Sequence, residues 1–199
     1  MDQVRLLALL LEVATLKRLP RTGWGMRGVS DAESVAEHSF GVAFVSLALV
    51  DVLVAEGGRE AKQPSISLER VLAMAILHDL AEVRLTDLPA SAKRLIPAEV
   101  KRRAEREAVT DLLGPLSRSV TWQELWQEFE EESSPEALLV RDADKLEMMI
   151  QCVCYERAGH RGLDEFWAAL DQRKWHYAVC AELYARLKAM RPGYRGADG

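Results

Sequence analysis

The chain has 199 residues, 49% hydrophobic and 29% charged, which is long enough for one domain to bury a substantial core. Its net charge of −5 argues against a broad nucleic-acid-binding face, because a phosphate backbone requires a basic surface. No apolar run approaches the roughly 18 residues of a membrane span. We therefore expect neither a nucleic-acid nor a membrane partner, although a local group of Arg and Lys could still bind one small anion.

Helical patterns occupy the first half of the chain. Leu and Val recur at helical spacing from the N-terminus, and the first pattern ends at Pro20. Its acidic start and missing cleavage site favour a first helix over a signal peptide. Ser67 is a predicted N-cap, and Pro89 ends the region that follows it. In chain order the pattern predicts a helix over 2–18, a Gly-rich loop over 20–31, and helices over 33–55 and 68–84.

The second half is also predicted to be helical. Thr121 and Ser134 are predicted N-caps, and Pro135 occupies the first position of its helix. The predicted helices span 97–114, 122–132, 135–157 and one or two segments of 163–190. No segment shows the sustained alternation of a strand. The sequence therefore predicts an all-α helical bundle around a single core, with one domain over 1–190 and a flexible tail over 191–199.

The three cysteines are odd in number and lack CxxC spacing. They are Cys152, Cys154 and Cys180. This pattern favours reduced thiols in a cytoplasmic protein. Aromatic residues in the C-terminal helices, among them Trp167, Trp175 and Tyr184, either close the core or form a homodimer interface. We expect a homodimer.

Histidine and aspartate interrupt the apolar faces of three predicted helices. They are His38, the doublet His78-Asp79, Asp142 and Asp144. A lone ionised carboxylate in a core is very costly, but carboxylates and imidazoles together are tolerated around a cation. Two imidazoles and two carboxylates suit Mn²⁺, Fe²⁺, Co²⁺ or Zn²⁺ and leave open positions, as a catalytic site requires. Ligands from separate helices are typical of metal sites in bundle cores.

Each of these residues alone has an ordinary structural explanation. A single buried histidine such as His38 is usually a hydrogen-bonded core residue. Asp144 could be a solvated helix residue paired with Lys145. The doublet alone is weak, since with four His and eleven Asp such pairs arise by chance. The metal interpretation depends on the whole set and its order along the chain.

Four motifs make the sequence resemble a known family. They are "KRLP", "AESVAEHS", "HDLAEVRLTDLP" and "VRDADKLEM". In this order they resemble the HD-domain superfamily of metal-dependent phosphohydrolases, and most closely its small 5′-deoxynucleotidases (YfbR-like). The resemblance implies the helical HD-domain fold and one divalent transition metal, either Mn, Co, Fe, Ni or Zn, with Mg as a further candidate. The implied ligands are His38, His78, Asp79 and Asp144.

The family pattern also assigns the residues around these ligands. It matches Asp144 and leaves Asp142 at the surface or behind the ligands. Two-metal members use extra histidines between the doublet and the last aspartate, and none lies between residues 80 and 143. The resemblance therefore implies a single metal.

The same resemblance implies catalytic and substrate-binding roles. Glu82 would transfer protons and Asp87 would contact the substrate or support catalysis at the metal. Arg18 would bind the phosphate. The ordinary alternatives are a helix-surface partner of Arg84 for Glu82 and a turn residue for Asp87.

The remaining residues of the first loop have simpler predictions. Arg21 and Arg27 are expected to be solvated, with phosphate binding as the alternative. Trp24 is expected to anchor the loop, with a base-stacking lid as the alternative. His160 and His176 are expected to be structural or exposed, because their surroundings lack ligand spacing.

The resulting expectation is a phosphomonoesterase that uses water activated at the metal. Its expected substrates are nucleoside 5′-monophosphates, specifically deoxyribonucleotides. The alternatives are hydrolysis of another phosphate ester or a nucleoside triphosphate, and a metal-stabilised binding module without turnover. Glu82 argues against the last of these, because a purely structural metal needs no neighbouring proton carrier.

Overall fold

The computed structural model describes residues 2–57 and 66–192, and this part of the chain contains eleven α-helices. They are α1 (Gln3–Val13), α2 (Thr22–Gly25), α3 (Val35–Gly57), α4 (Leu68–Leu77), α5 (Glu82–Leu85), α6 (Ala90–Lys93), α7 (Ala98–Leu113), α8 (Ser119–Glu131), α9 (Pro135–Arg157), α10 (Asp164–Asp171) and α11 (Ala178–Ala189). A 3-10 helix, Ala14–Arg18, follows α1. The described residues form no sheet, so the all-α prediction is confirmed.

The long helices α3 and α9 pack against each other and against α4. Ser134 begins α9 as predicted, since its hydroxyl accepts from the Ala137 backbone N–H and Pro135 follows at the first helical position. Each helix contributes a buried residue to the same core cluster, namely Leu49, Met74 and Met149. These three helices therefore hold the middle of the bundle, and each carries or leads into part of the predicted metal site.

Helix α3 is long and apolar enough to cross a membrane, because Val35–Ala55 has a mean hydropathy of 1.9. The sequence prediction missed this property. Buried Val42 and Leu49 pack in the main core, as in the central helix of a globular bundle. Phe40 and Phe44 remain exposed on its outer face.

The buried apolar residues form a large cluster and a small one. The large cluster joins α3, α4, α8 and α9 with the C-terminal helices, and the small one joins α1, α7, α8 and the turn after α4. Trp122 packs against both clusters. Trp167 and Tyr184 lie inside the large cluster, so they close the core and are unavailable for a subunit interface.

The predicted helix over 68–84 is interrupted, which corrects the sequence interpretation. Helix α4 ends at Leu77, and the backbone N–H groups of Leu80 and Glu82 donate to the carbonyls three residues earlier. This tighter pattern is that of a 3-10 turn. His78 and Asp79 therefore lie in a turn between α4 and α5, and Glu82 does not continue the helix that precedes them.

The C-terminal end is tied to the core as far as it is described. Arg191, the first residue of the predicted tail, forms ion pairs with Glu156 and Asp164 and is therefore held against the core. Residues 193–199, the remainder of the predicted tail, lie outside the described residues.

Asp142 was predicted to lie at the surface or behind the ligands, and its complete burial excludes the surface position. Its carboxylate accepts from Arg173 Nη2 at 3.0 Å and from the backbone N–H groups of His176 and Tyr177 at 2.8 and 3.0 Å. His176 Nδ1 lies 3.0 Å from the same carboxylate. Asp142 thus ties the segment between α10 and α11 to the middle of α9.

Replacing Asp142 by alanine is expected to lower the free energy of unfolding by about 3 kcal/mol, because it leaves a charged group and two backbone N–H groups without their acceptor. Urea unfolding followed by circular dichroism measures this loss. Asp51→Ala, at an exposed position of α3, is the control and should change stability by less than about 0.5 kcal/mol. An Asp142→Ala loss no larger than that of the control would contradict this role.

Candidate metal and active site

The four predicted ligands meet where α3, the turn after α4 and α9 converge. His38 Nε2 lies 3.3 Å from Asp144 Oδ1 and 3.8 Å from Asp79 Oδ2. His78 Nε2 lies 3.1 Å from the same Asp79 oxygen. One ligand atom from each of His38, His78 and Asp144 falls within 4.8 Å of the others. The structure therefore brings together residues that are up to 106 positions apart in the sequence.

Both imidazoles are held at Nδ1, so that Nε2 faces the cluster. His78 Nδ1 lies 2.8 Å from the Ala75 carbonyl, to which it donates. His38 Nδ1 bonds the carboxylate of Glu147. Such partners at the second ring nitrogen are usual for histidines that bind metals.

The buried imidazole nitrogens that have no hydrogen-bond partner fit a divalent cation. Within the described residues, the Nε2 atoms of His38 and His78 are buried without a hydrogen-bond partner. Buried polar atoms normally have one. Two imidazole nitrogens and two carboxylates are a suitable donor set for a transition metal. On these grounds the residues present fit the metal that the sequence predicts.

The carboxylates of the cluster favour their ionised forms. Burial opposes this, but His78, Arg21 and His38 lower the pKa of Asp79. Lys145 and His38 likewise hold the pKa of buried Asp144 well below its usual range. The site thus offers two ionised oxygen donors to a cation. The Lys145 pairing considered from the sequence is real, at 2.7 Å, and it coexists with the contact to His38.

Glu82 lies in the wall of the same cavity, at the start of α5. Its Oε2 atom is buried and has no hydrogen-bond partner within the described residues. Burial and the neighbouring Asp79 and Asp87 raise the pKa of Glu82 to about 9, against the opposing effect of Arg21 and Lys93. With this raised pKa, the Glu82 carboxyl group can hold a proton at neutral pH beside the four predicted ligands.

Asp87 joins two loops of the site. Its Oδ2 atom accepts from the Thr22 backbone N–H at 2.7 Å, and its carbonyl accepts from the Thr22 hydroxyl at 2.7 Å. The residue is buried and lines the cavity. Asp87 therefore fixes the start of α2 against the turn after α5.

The arginine of the first loop that lines the cavity is Arg21, whereas Arg18 was the predicted phosphate ligand. Arg18 ends the 3-10 helix as an exposed residue and does not line the cavity. Arg21 Nη1 donates to Asp79 Oδ2 at 3.0 Å, and its side chain is 15% exposed. The predicted solvated position of Arg21 is therefore wrong, and the predicted contact of Arg18 does not match its place in the fold.

The rest of the first loop matches its predictions. Trp24 is buried against Tyr155 and Phe166 and donates to Glu33, so the anchor prediction is confirmed. Arg27 pairs with Glu165 near the surface. His160 packs on Tyr155, and His176 bonds Asp142, so both are structural.

The cavity has a volume of about 280 Å³ and a strongly charged lining. Its acidic side holds Asp79, Glu82, Asp87 and Asp144, with Glu105 and Glu130 further along the wall. Its basic residues are Arg21, Lys93, Lys101, Arg141 and Lys145. Trp126 and Phe129 complete the wall. Such a cavity suits a small phosphorylated ligand with an aromatic part.

Sequence reasoning missed Glu147 and Glu33, which lie behind His38. With His38 they form a second cluster whose candidate atoms fall within 4.8 Å of one another. Burial and Glu147 raise the pKa of Glu33 to about 7, and the hydrogen bond from Trp24 acts in the opposite direction. The signal for Glu147 in the sequence was its spacing of three residues from Asp144, which places both residues on one helix face.

Glu33→Gln is expected to raise the free energy of unfolding of metal-free protein at pH 8.5 but not at pH 4.5. The folded pKa exceeds the ordinary 4.5, so stability from protonated Glu33 is present below pH 4.5 and lost as the pH rises to about 7. The expected gain at pH 8.5 is on the order of 1–3 kcal/mol. Urea unfolding in chelator tests it against exposed Glu124→Gln, and equal effects at both pH values would refute it.

Comparison with known proteins agrees with this geometry. The HD domain family profile matches residues 13–178. The 5′-deoxynucleotidase HDDC2 of Danio rerio is 35% identical over 191 residues, which cover 94% of this chain and 88% of that protein. The human 5′-deoxynucleotidase HDDC2 is 33% identical over 94% of this chain and 86% of its own.

A solved structure shares the fold. The crystal structure of the PH0347 protein from Pyrococcus horikoshii OT3 has a TM-score of 0.75 and 42% identity, and the match covers 92% of this chain and 97% of that one. The family match spans most of the chain, and the relatives align over nearly their whole length. The chain therefore belongs to the HD-domain family.

Proposed function

We propose that this protein is a metal-dependent 5′-nucleotidase that hydrolyses the phosphate ester of deoxyribonucleoside 5′-monophosphates. The observation that carries the proposal is one cavity lined by His78, Asp79 and Asp144, together with the carboxyl group of Glu82 and the guanidinium of Arg21. His38 completes the His₂Asp₂ cluster from behind this wall, with Nε2 3.3 Å from Asp144 Oδ1. Relatives aligned over most of the chain are named 5′-deoxynucleotidases, which supports this substrate class.

His38, His78, Asp79 and Asp144 would hold the metal. When bound, a divalent ion would lower the pKa of water and polarise a phosphoryl oxygen. The donor set suits Mn, Fe, Co, Ni or Zn, with Mg as a weaker fit because it prefers oxygen ligands.

Glu82 is the proton carrier in this proposal. Its raised pKa lets the carboxyl group hold a proton in the cavity and give it to the leaving 5′-oxygen of the substrate. As a carboxylate it can accept a proton from the attacking water in the next turnover. Its unpartnered Oε2 atom leaves room for such a contact.

Arg21 is the proposed phosphate ligand. A guanidinium can form two parallel hydrogen bonds to a phosphate, and Arg21 already reaches the ligand Asp79. Asp87 holds the neighbouring Thr22, so it would position Arg21 as well as contact the sugar. Arg21 therefore replaces Arg18, the residue predicted from the sequence, as the proposed phosphate ligand.

A second candidate is hydrolysis of a nucleoside triphosphate. The observation in its favour is the basic residues further along the cavity, Lys93, Lys101, Arg141 and Lys145. Lys145 and Arg141 are paired with Asp144 and Glu130, however, which reduces the charge available for extra phosphates. The monophosphate is therefore the favoured substrate.

The products distinguish these candidates. Metal-loaded protein is incubated with deoxyribonucleoside monophosphates, the matching ribonucleotides and the deoxyribonucleoside triphosphates. The proposal predicts inorganic phosphate from the deoxy monophosphates at the highest rate. Faster release of pyrophosphate or triphosphate from the triphosphates would favour the second candidate.

We also propose a cytoplasmic homodimer. The three free cysteines support the location. Phe40, Phe44 and Leu47 form an exposed apolar stripe on α3, with Phe40 74% exposed, and a second copy would cover it. Light scattering after size exclusion measures the mass, and a monomer at micromolar concentration would contradict the dimer.

A further inference from the structure

We propose that Gly41 and Glu147 are positioning residues that act together on His38. The missing side chain of Gly41 leaves the space in which the Glu147 carboxylate holds the His38 imidazole with Nε2 toward the metal cluster. The inference rests on the proposed metal site and extends it to residues that do not touch the metal or the substrate.

Two helices present matching pairs of residues at this point. His38 and Gly41 are three apart on α3, and Asp144 and Glu147 are three apart on α9, so each pair lies on one helix face. Since α3 and α9 pack together, the pairs face each other. Asp144 Oδ1 lies 3.3 Å from His38 Nε2, while Glu147 bonds Nδ1 of the same ring. One face of α9 thus contacts both nitrogens of one imidazole.

The space at Gly41 is already filled by Glu147. A Cβ atom added at Gly41 would lie 2.6 Å from Glu147 Oε1, 2.8 Å from its Cγ and 3.0 Å from its Cδ. Cγ lies close to the backbone, so swinging the carboxylate aside would not relieve the overlap. Glu147 is buried, and His38 has no exposed surface. A methyl group here must therefore displace the carboxylate from His38.

Backbone conformation does not explain this glycine. Gly41 lies in the middle of α3, and it is absent from the residues with positive φ in the described part of the chain. Glycine within a helix is less stable than alanine there by about 0.5–1 kcal/mol. Glycine is required at position 41 because the Glu147 side chain occupies the space that a Cβ atom would fill.

Loss of the Glu147 contact is expected to weaken metal binding. The hydrogen bond at Nδ1 selects the ring orientation and leaves Nε2 free as a ligand. Removing such a partner typically lowers metal affinity 10–100-fold. We expect Gly41→Ala and Glu147→Ala each to lower the affinity for Co²⁺ within this range.

The test is a double-mutant cycle on metal binding. Chelator-treated protein is titrated with Co²⁺, followed by its visible absorption, in wild type, Gly41→Ala, Glu147→Ala and the double variant. Because the methyl group acts through Glu147, the double variant should bind Co²⁺ no more weakly than Glu147→Ala alone. Gly25→Ala is the matched control, since its added methyl group would meet no atom within 4 Å. It should leave the affinity unchanged.

Wild-type affinity in Gly41→Ala would overturn the proposal, and so would losses that multiply in the double variant. If Gly41→Ala does not fold, the double variant should fold again because it lacks the clashing side chain. Its failure to fold would also overturn the proposal. Metal affinity is measured without substrate, so a lack of nucleotidase activity would refute the proposed function and leave this result standing.

Discussion

Asp79→Ala is expected to abolish metal binding and phosphate release together. Asp79 Oδ2 lies near both Nε2 atoms of the cluster, 3.1 Å from His78 and 3.8 Å from His38. The same oxygen accepts from Arg21 at 3.0 Å. The substitution therefore removes a proposed ligand and also releases the proposed phosphate-binding arginine.

The metal affinity of Asp79→Ala should fall by more than about 100-fold, beyond the loss typical of residues behind the ligands. Metal content by mass spectrometry and phosphate release from a deoxynucleotide measure the two effects. Asp51→Ala, exposed on α3, should retain both. A variant that keeps one metal per chain at wild-type affinity would show that Asp79 is no ligand.

Glu82→Gln is expected to lower kcat by about 10²–10⁴-fold while the protein keeps its metal and its fold. Glutamine has the shape of the protonated carboxyl group, so the packing at the start of α5 is preserved. It cannot give a proton to the leaving oxygen or accept one from water. KM should change little, because the proposed phosphate ligand Arg21 is unaltered.

The comparison for Glu82→Gln is Glu124→Gln, the same side-chain replacement at an exposed position on α8. Its kcat should equal that of wild type. Wild-type turnover in Glu82→Gln would show that Glu82 takes no part in the proton transfer. If the variant lost metal and activity to the same extent, Glu82 would act through metal binding and not through proton transfer.

Helical periodicity predicted most of the fold, because apolar residues recur along helices that are long and capped. It did not predict the turn at His78. In the sequence, Leu80 and Ala81 continue the apolar pattern of α4. In the structure, α4 ends at Leu77, and these two residues are buried in the small cluster. Residue periodicity does not separate an i→i+3 turn from a continuing helix when both bury the same side chains.

The meeting of the four proposed ligands could be predicted from their chemistry and the family resemblance, but the residues that support them could not. Which first-loop arginine enters the cavity depends on the pairing of Pro20 with Ser34 and on the hydrogen bonds that Thr22 donates to Asp87. Both are contacts between segments distant in the sequence. Burial of Asp142 likewise depends on partners 31 to 35 residues away.

Gly41 illustrates the same limit within one helix. In the sequence it is a glycine in an apolar pattern, which lowers helix propensity and predicts nothing more. Its role emerges only when α9 brings Glu147 against it.

The most direct test of the central claim is phosphate release from the four deoxyribonucleoside 5′-monophosphates by protein that carries one divalent metal per chain. We expect release from at least one of them, loss of that release after chelation, and recovery when Mn²⁺ or Co²⁺ is restored. Absence of release from all four, with the metal fully bound, would contradict the claim.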